Sequence, residues 1–132
     1  MRIVYIAHPV GGNVEANLAA VRAIINRINT DPKFEDVVPF VPWYSDVVSC
    51  DDSVPELRER GLRNDEAIIK KSRHCRYISE MWLFGPRISE GMKREIHAAL
   101  EAQIPVSGMT EQLRKELALI SEEYFQKIAI RG

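Results

Sequence analysis

Histidine and cysteine are scarce: the 132 residues hold three of the first and two of the second. Cys50 and Cys75 stand outside any CxxC pattern, and no His/Cys cluster has zinc spacing, so neither a structural zinc nor a disulfide framework is the expected source of stability. Two unpaired thiols suit a reducing compartment. Long apolar runs are missing too; none approaches the roughly 20 residues that cross a bilayer. The apolar start, "MRIVYIAHPVGG", is broken at once by His8, Pro9, Gly11 and Gly12. It is too short for a secretory leader, and a cytoplasmic protein is expected. Charge of one sign is also lacking. Eighteen Lys and Arg offset 19 Asp and Glu, for a net charge of −1. They are scattered, so the clustered basic face of a nucleic-acid binder is absent and no polymer partner is expected. Neither GxGxxG, nor a P-loop lysine, nor a Ser-His-Asp arrangement is visible, and no cofactor or metal is expected.

What is present is an ordinary composition, 45% hydrophobic and 28% charged. The length suffices for one domain, residues 1–132, with a sizeable core. "RIVYIA" (2–7) is β-branched and aromatic and bounded by His-Pro and Gly-Gly, which predicts a buried strand. Leu18, Val21, Ile25 and Ile28 recur at helical spacing, predicting a helix over 13–28 capped by Asn13. "DVVPFVP" (36–42) is a second strand, weakened by Pro39. Residues 43–56 read as a long irregular connection of the kind that forms lids and binding loops. A helix over 55–78, in two pieces broken near Gly61, precedes a strand over 80–85. Ser89 then caps a helix over 89–103, "IPV" (104–106) is a brief strand, and residues 110–130 form a last helix. Its apolar stripe is Leu113, Leu117, Ile120, Tyr124 and Ile128. Alternating strands and helices predict an α/β fold: a doubly wound parallel sheet of four to five strands in a flavodoxin- or Rossmann-like three-layer sandwich. Ligands of such folds bind beyond the carboxyl ends of the strands. The ends of "VYIAHP" and "WLFGP" should therefore face one crevice.

Several residues near those ends carry chemistry. Glu95 has Gly91, Met92, Ala98 and Ala99 at helical spacing and no cation among them, whereas Glu90 has Arg94 four residues on as a surface pairing. Gly91 leaves a gap one turn below Glu95, where a carboxylate can face a ligand; a solvated glutamate at the edge of a helix face is the plainer alternative. Tyr5 shares a strand face with Ile3 and Ala7 and reads equally as core. His8 ends the strand, as a ligand donor or a structural histidine. Gly11, Gly12 and Asn13 lead into a helix N-terminus, where backbone N–H groups can approach an anion, although such a pair is usually only a turn. Asp65 reads as an acid favourable to a helix dipole. Trp43 and Tyr44 either stack on a flat ring or cover the core, and Trp82 belongs to the core.

The segments "VYIAHPVGGN", "LRNDEAIIKKS" and, above all, "WLFGPRISEGMKREIHAALEAQIPV" resemble the nucleoside 2-deoxyribosyltransferase superfamily, most closely a small branch spread through phages and bacteria. The likeness covers roughly residues 2–107. The resemblance implies the same doubly wound fold and an N-glycosidic-bond reaction on a nucleoside or nucleoside 5′-monophosphate. It implies Glu95 as nucleophile, Tyr5 as the aromatic that orients it, and Asp65 as the acid at the base. Glu90 would stand near the substrate in place of a shorter aspartate, and His8, Gly11, Gly12, Asn13, Ser89, Gly91 and Met92 would complete substrate binding. Met92 replaces the usual Ser or Thr. A homo-oligomer is also implied, since subunits of that superfamily usually share sites. The alternative expectation is a non-catalytic nucleotide-binding module with the same pocket.

Overall fold

The computed structural model describes residues 1–131. In chain order they form β1 (Arg2–Ala7), α1 (Val14–Thr30), a 3-10 turn (Pro32–Phe34), β2 (Val37–Phe40), α2 (Trp43–Ser49), α3 (Pro55–Cys75), β3 (Glu80–Leu83), α4 (Glu90–Glu101), β4 (Val106–Gly108) and α5 (Glu111–Arg131). The four strands make one sheet in the order β2-β1-β3-β4. Every pairing is parallel: Tyr5 lies opposite Phe40 on one side and Met81 on the other, and Leu83 lies opposite Gly108. The expected doubly wound three-layer α/β fold is the one observed, with four strands. The chain leaves β1 for β2 and then crosses back to β3, so the switch point lies between β1 and β3.

Strand alternation sorts the core onto two faces. Tyr5, Ala7, Met81 and Leu83 pack with Ile69 of α3 and Met92, Ile96 and Ala99 of α4. Val4, Ile6 and Trp82 pack with Ile28 of α1, Val37 and the half-buried Phe34. Pro39, which has no N–H to give a ladder, sits in an edge strand, where its loss is tolerated.

Three expectations are corrected. Residues 43–49 are helical rather than irregular. The Trp43 indole N–H donates to the Ile6 carbonyl at 2.8 Å and pins this short helix across the end of β1. A seven-residue helix is too brief to show an apolar period. Next, α3 runs unbroken through Gly61. The nearest atoms to a Cβ there are the Asp46 Oδ2 and Cβ, at 3.8 and 4.0 Å, an ordinary contact, and the glycine does not interrupt the helix. Pro55 opens α3 where its missing N–H costs nothing. The buried Ser72 hydroxyl accepts from the Ile78 N–H at 2.9 Å, turning the chain into β3. Last, β4 begins at Val106 rather than at Ile104. Gln103 adopts φ 62, and the Ile104 N–H is spent on the Ala99 carbonyl at the end of α4.

The close approach of α5 to β4 rests on Gly108. A Cβ there would fall 2.7 Å from the Arg114 nitrogen and 2.9 Å from the Leu113 carbonyl carbon, both backbone atoms that no rotamer change can move. Gly11 has nothing within 4 Å. Gly108→Ala is therefore expected to lower unfolding free energy by about 1–3 kcal/mol, and Gly11→Ala to stay within about 0.5 kcal/mol, by urea titration.

Candidate active site

A cleft of about 400 Å³ opens at the switch point. The end of β1 supplies His8, α2 supplies Trp43 and Asp46, α3 supplies Asp65, and α4 supplies Met92 and Glu95. The Phe84 N–H donates to the Ala7 carbonyl at 2.9 Å, extending the ladder one residue past the β3 end. Gly85 then turns the chain with φ 98, and a Cβ there would meet the Pro9 Cδ at 2.6 Å. The two strand ends thus touch below the cleft, and the crevice foreseen at "VYIAHP" and "WLFGP" is present.

At its floor the Tyr5 hydroxyl donates to Glu95 Oε2. Tyr5 projects from β1 and is edge-packed on Phe40, with ring centroids 6.1 Å apart. Glu95 comes from the second turn of α4, a helix held at its start by the Ser89 hydroxyl, which accepts from the Met92 N–H at 3.2 Å. Glu95 is 6% exposed and Asp65 5%. Asp65 Oδ1 is buried with no hydrogen-bond partner. An unpaired buried carboxyl oxygen is costly, and the residue that carries it lines the cleft. Glu95 is therefore not the solvated edge residue that helical spacing also allowed.

The electrostatics follow from burial. Burial pushes Glu95 up to about 8, with the Asp65 and Glu66 charges adding to the rise and the Tyr5 bond opposing it. Burial likewise pushes Asp65 up to about 7, with Asp46 and Glu66 adding. The Tyr5 hydroxyl is raised well above its ordinary value, first by burial and then by Glu95 and Asp65, so it stays a donor. Between pH 7 and 8 the two acids hold about one proton between them.

Other expected residues divide. Gly11 and Gly12 line the cleft, and Gly12 adopts φ 94, the left-handed conformation that favours glycine. Asn13 is not among the lining residues; its side chain accepts from the Ala16 N–H at 3.1 Å and caps α1. The His8 Nδ1–H donates to the Pro9 carbonyl at 2.7 Å, which leaves Nε2 as the free nitrogen. Ser89 and Glu90 line the rim. Gly91 also lines the cleft but leaves no gap: a Cβ there would sit 3.2 Å from the Leu62 Cδ2, so its missing side chain admits α3. Met92 is 1% exposed and belongs to the core while touching the cleft. Trp43 both covers the core and lines the cleft; Tyr44 packs against the same core, outside the cleft lining, and its hydroxyl accepts from Arg22 at 3.1 Å. Trp82 is core, as expected.

The foreseen surface pair of Glu90 with Arg94 is not formed. Arg94 bonds Glu66 through Nε and Glu59 through both terminal nitrogens, at 2.8 and 3.1 Å. Sequence spacing missed these α3 partners because they come from another element. It also missed Asp46, since α2 itself went unseen. Both thiols are free and exposed. Among the described residues no group of three or more His, Cys, Asp or Glu could hold a metal ion, and no helix is long and apolar enough to cross a membrane.

A pH test of stability follows. An acid with a raised pKa binds more protons folded than unfolded, so its contribution is full below the unfolded value, 4.5 for Glu95, and is lost as pH rises through about 8. Glu95→Gln removes that loss. At pH 8.5 the variant is expected to be more stable than the parent by on the order of 3 kcal/mol, while at pH 4.5 the two nearly coincide, as read by calorimetry. Coincidence at both values would show that Glu95 is not buried as described.

No curated protein matches the chain. Residues 2–109 match the model of a family described as a domain of unknown function (DUF7768). That span runs from β1 through β4, contains every residue that lines the cleft and leaves α5 outside, and the chain belongs to this family.

Proposed function

We propose that the chain is an N-glycosidic-bond enzyme acting on a nucleoside or nucleoside 5′-monophosphate, as its resemblance to the nucleoside 2-deoxyribosyltransferases implies. The observation that carries this reading is the Tyr5–Glu95 hydrogen bond at the floor of a cleft lined also by Asp65, whose buried Oδ1 has no hydrogen-bond partner. Breaking a bond from C1′ to a base nitrogen develops positive charge on C1′. A Glu95 oxygen attacks C1′, the C1′–N electron pair leaves with the base, and Asp65 gives that base its proton. The glycosyl ester is then opened by a second base or by water. The C1′–O bond breaks, Glu95 regains its charge, and a proton returns to Asp65. Tyr5 holds the attacking carboxyl by its other oxygen. A 5′-phosphate would be met by backbone N–H groups at Gly11–Gly12 or at the Ser89–Gly91 start of α4.

This mechanism needs Glu95 ionised and Asp65 protonated. With the pair titrating at about 7 and about 8, kcat/KM is expected to follow a bell centred between those values. One observation favours the second reading, a non-catalytic nucleotide-binding module: burial leaves Glu95 mostly protonated at pH 7, and a neutral acid is a poor nucleophile. Incubation with each deoxynucleoside and deoxynucleotide, with and without a free second base, separates the two. Base release or exchange that falls at least about 10³-fold in Glu95→Gln and about 10-fold or more in Tyr5→Phe supports the enzyme. Tight binding without release, unchanged by Glu95→Gln, supports the module.

Two coarser assignments complete the proposal. A cytoplasmic location fits the free thiols. A homo-oligomer formed through α5 fits the exposure of Leu119, Phe125, Ile128 and Ile130 on that helix. Light scattering should then give a multiple of the chain mass that falls to the monomer in Phe125→Asp; a monomeric parent would refute it.

A further inference from the structure

The proposed reaction uses Asp65 and Glu95, which come from different helices. Nothing bonds these two side chains to each other, yet their neighbours in sequence are bonded. Glu66 follows Asp65 on α3, Arg94 precedes Glu95 on α4, and the Arg94 Nε–H donates to Glu66. The same guanidinium grips Glu59, nearly two turns earlier on α3, with its other two nitrogens at 2.8 and 3.1 Å. Three charge-assisted bonds from one planar group fix both the height and the rotation of α4 against α3. Arg94 is one-third exposed and Glu66 about one-fifth, so the clamp sits at the edge of the interface, outside the cleft lining.

From this geometry we infer that Arg94 is a positioning residue for the acid pair: by clamping Glu59 and Glu66 it sets the register of Asp65 against Glu95 and offsets part of the Glu66 charge beside them. The inference rests on the site described above but not on its activity. Its electrostatic half has a second support, since the Glu66 charge raises both Asp65 and Glu95. The other groups that act on the pair are Tyr5 from β1 and Asp46 from α2. Arg58 and Arg60 of α3, Arg87 ahead of α4 and Glu90 on α4 also line the cleft, but they are exposed and solvent-screened. Asp51 and Asp52, between α2 and α3, lie at the same mouth. Arg94 differs from these arginines in being committed to Glu66 itself.

The test is a carboxyl-carbon NMR titration of the full chain, which needs no substrate. Arg94→Gln should leave Glu66 uncompensated and move the midpoints of both Asp65 and Glu95 upward by roughly half a pH unit or more. Arg94→Lys, which keeps the charge but not the fork, should hold the midpoints near the parent's. Glu66→Gln alone should lower both, and it keeps the test open if Arg94→Gln does not fold. Should midpoints stay fixed in both Arg94→Gln and Glu66→Gln while thermal stability falls, Arg94 is only a structural tie and the inference is overturned. Where turnover is found, the kcat/KM bell should move with the midpoints. If midpoints move and no substrate is ever turned over, the N-glycosidic reading fails and the role of Arg94 stands.

Discussion

The hydrogen bond from Tyr5 to Glu95 joins an inner strand, β1, to α4 beside the point where the strand order reverses. Both groups are almost wholly withdrawn from water. A carboxyl there is tolerable only if something answers it, and Tyr5 answers one of its two oxygens. The remainder of the cleft follows from that arrangement. Asp65 is brought close from α3 and Asp46 from α2, and the low local dielectric makes the Asp46 charge felt at Asp65 and the Asp65 charge felt at Glu95. Groups whose titration is pushed into the neutral range by burial and by one another, at the mouth of a parallel sheet, are the usual ingredients of acid–base and nucleophilic chemistry.

The supporting structure is arranged around keeping two helices close at that point. Gly91 admits Leu62, and Arg94 ties α4 to two glutamates of α3. Trp43 locks α2 onto the end of β1 through the Ile6 carbonyl, so the second wall is fixed to the same strand that carries Tyr5. These contacts place three acids on three elements with little freedom, which is the preorganisation a charged transition state requires.

Much of this was legible in the chain. The alternation of strands with the four longer helices, the parallel sheet and the crevice between "VYIAHP" and "WLFGP" follow from apolar periods and turn residues, and they are what the structure contains. Glu95 was marked by the absence of a helical partner, a signal local to one element. What went unread depends on contacts between elements. Seven residues of α2 carry no readable period, Arg94 passes over its neighbour Glu90 for partners 28 and 35 positions away, and Gly91 is filled by a leucine from another helix. Asn13 illustrates a further ambiguity: a helix cap and a ligand-binding amide look alike in sequence, and here the side chain is used by the cap.

The central claim is that Glu95 captures a ribosyl carbon. Its most direct measurement is mass spectrometry of the protein mixed with a deoxynucleoside or deoxynucleotide and quenched in acid within one turnover. The account predicts a single added deoxyribosyl unit, or its 5′-phosphate, on the peptide that contains Glu95, absent in Glu95→Gln. An adduct on another residue, or base release with no adduct and no dependence on Glu95, would contradict it.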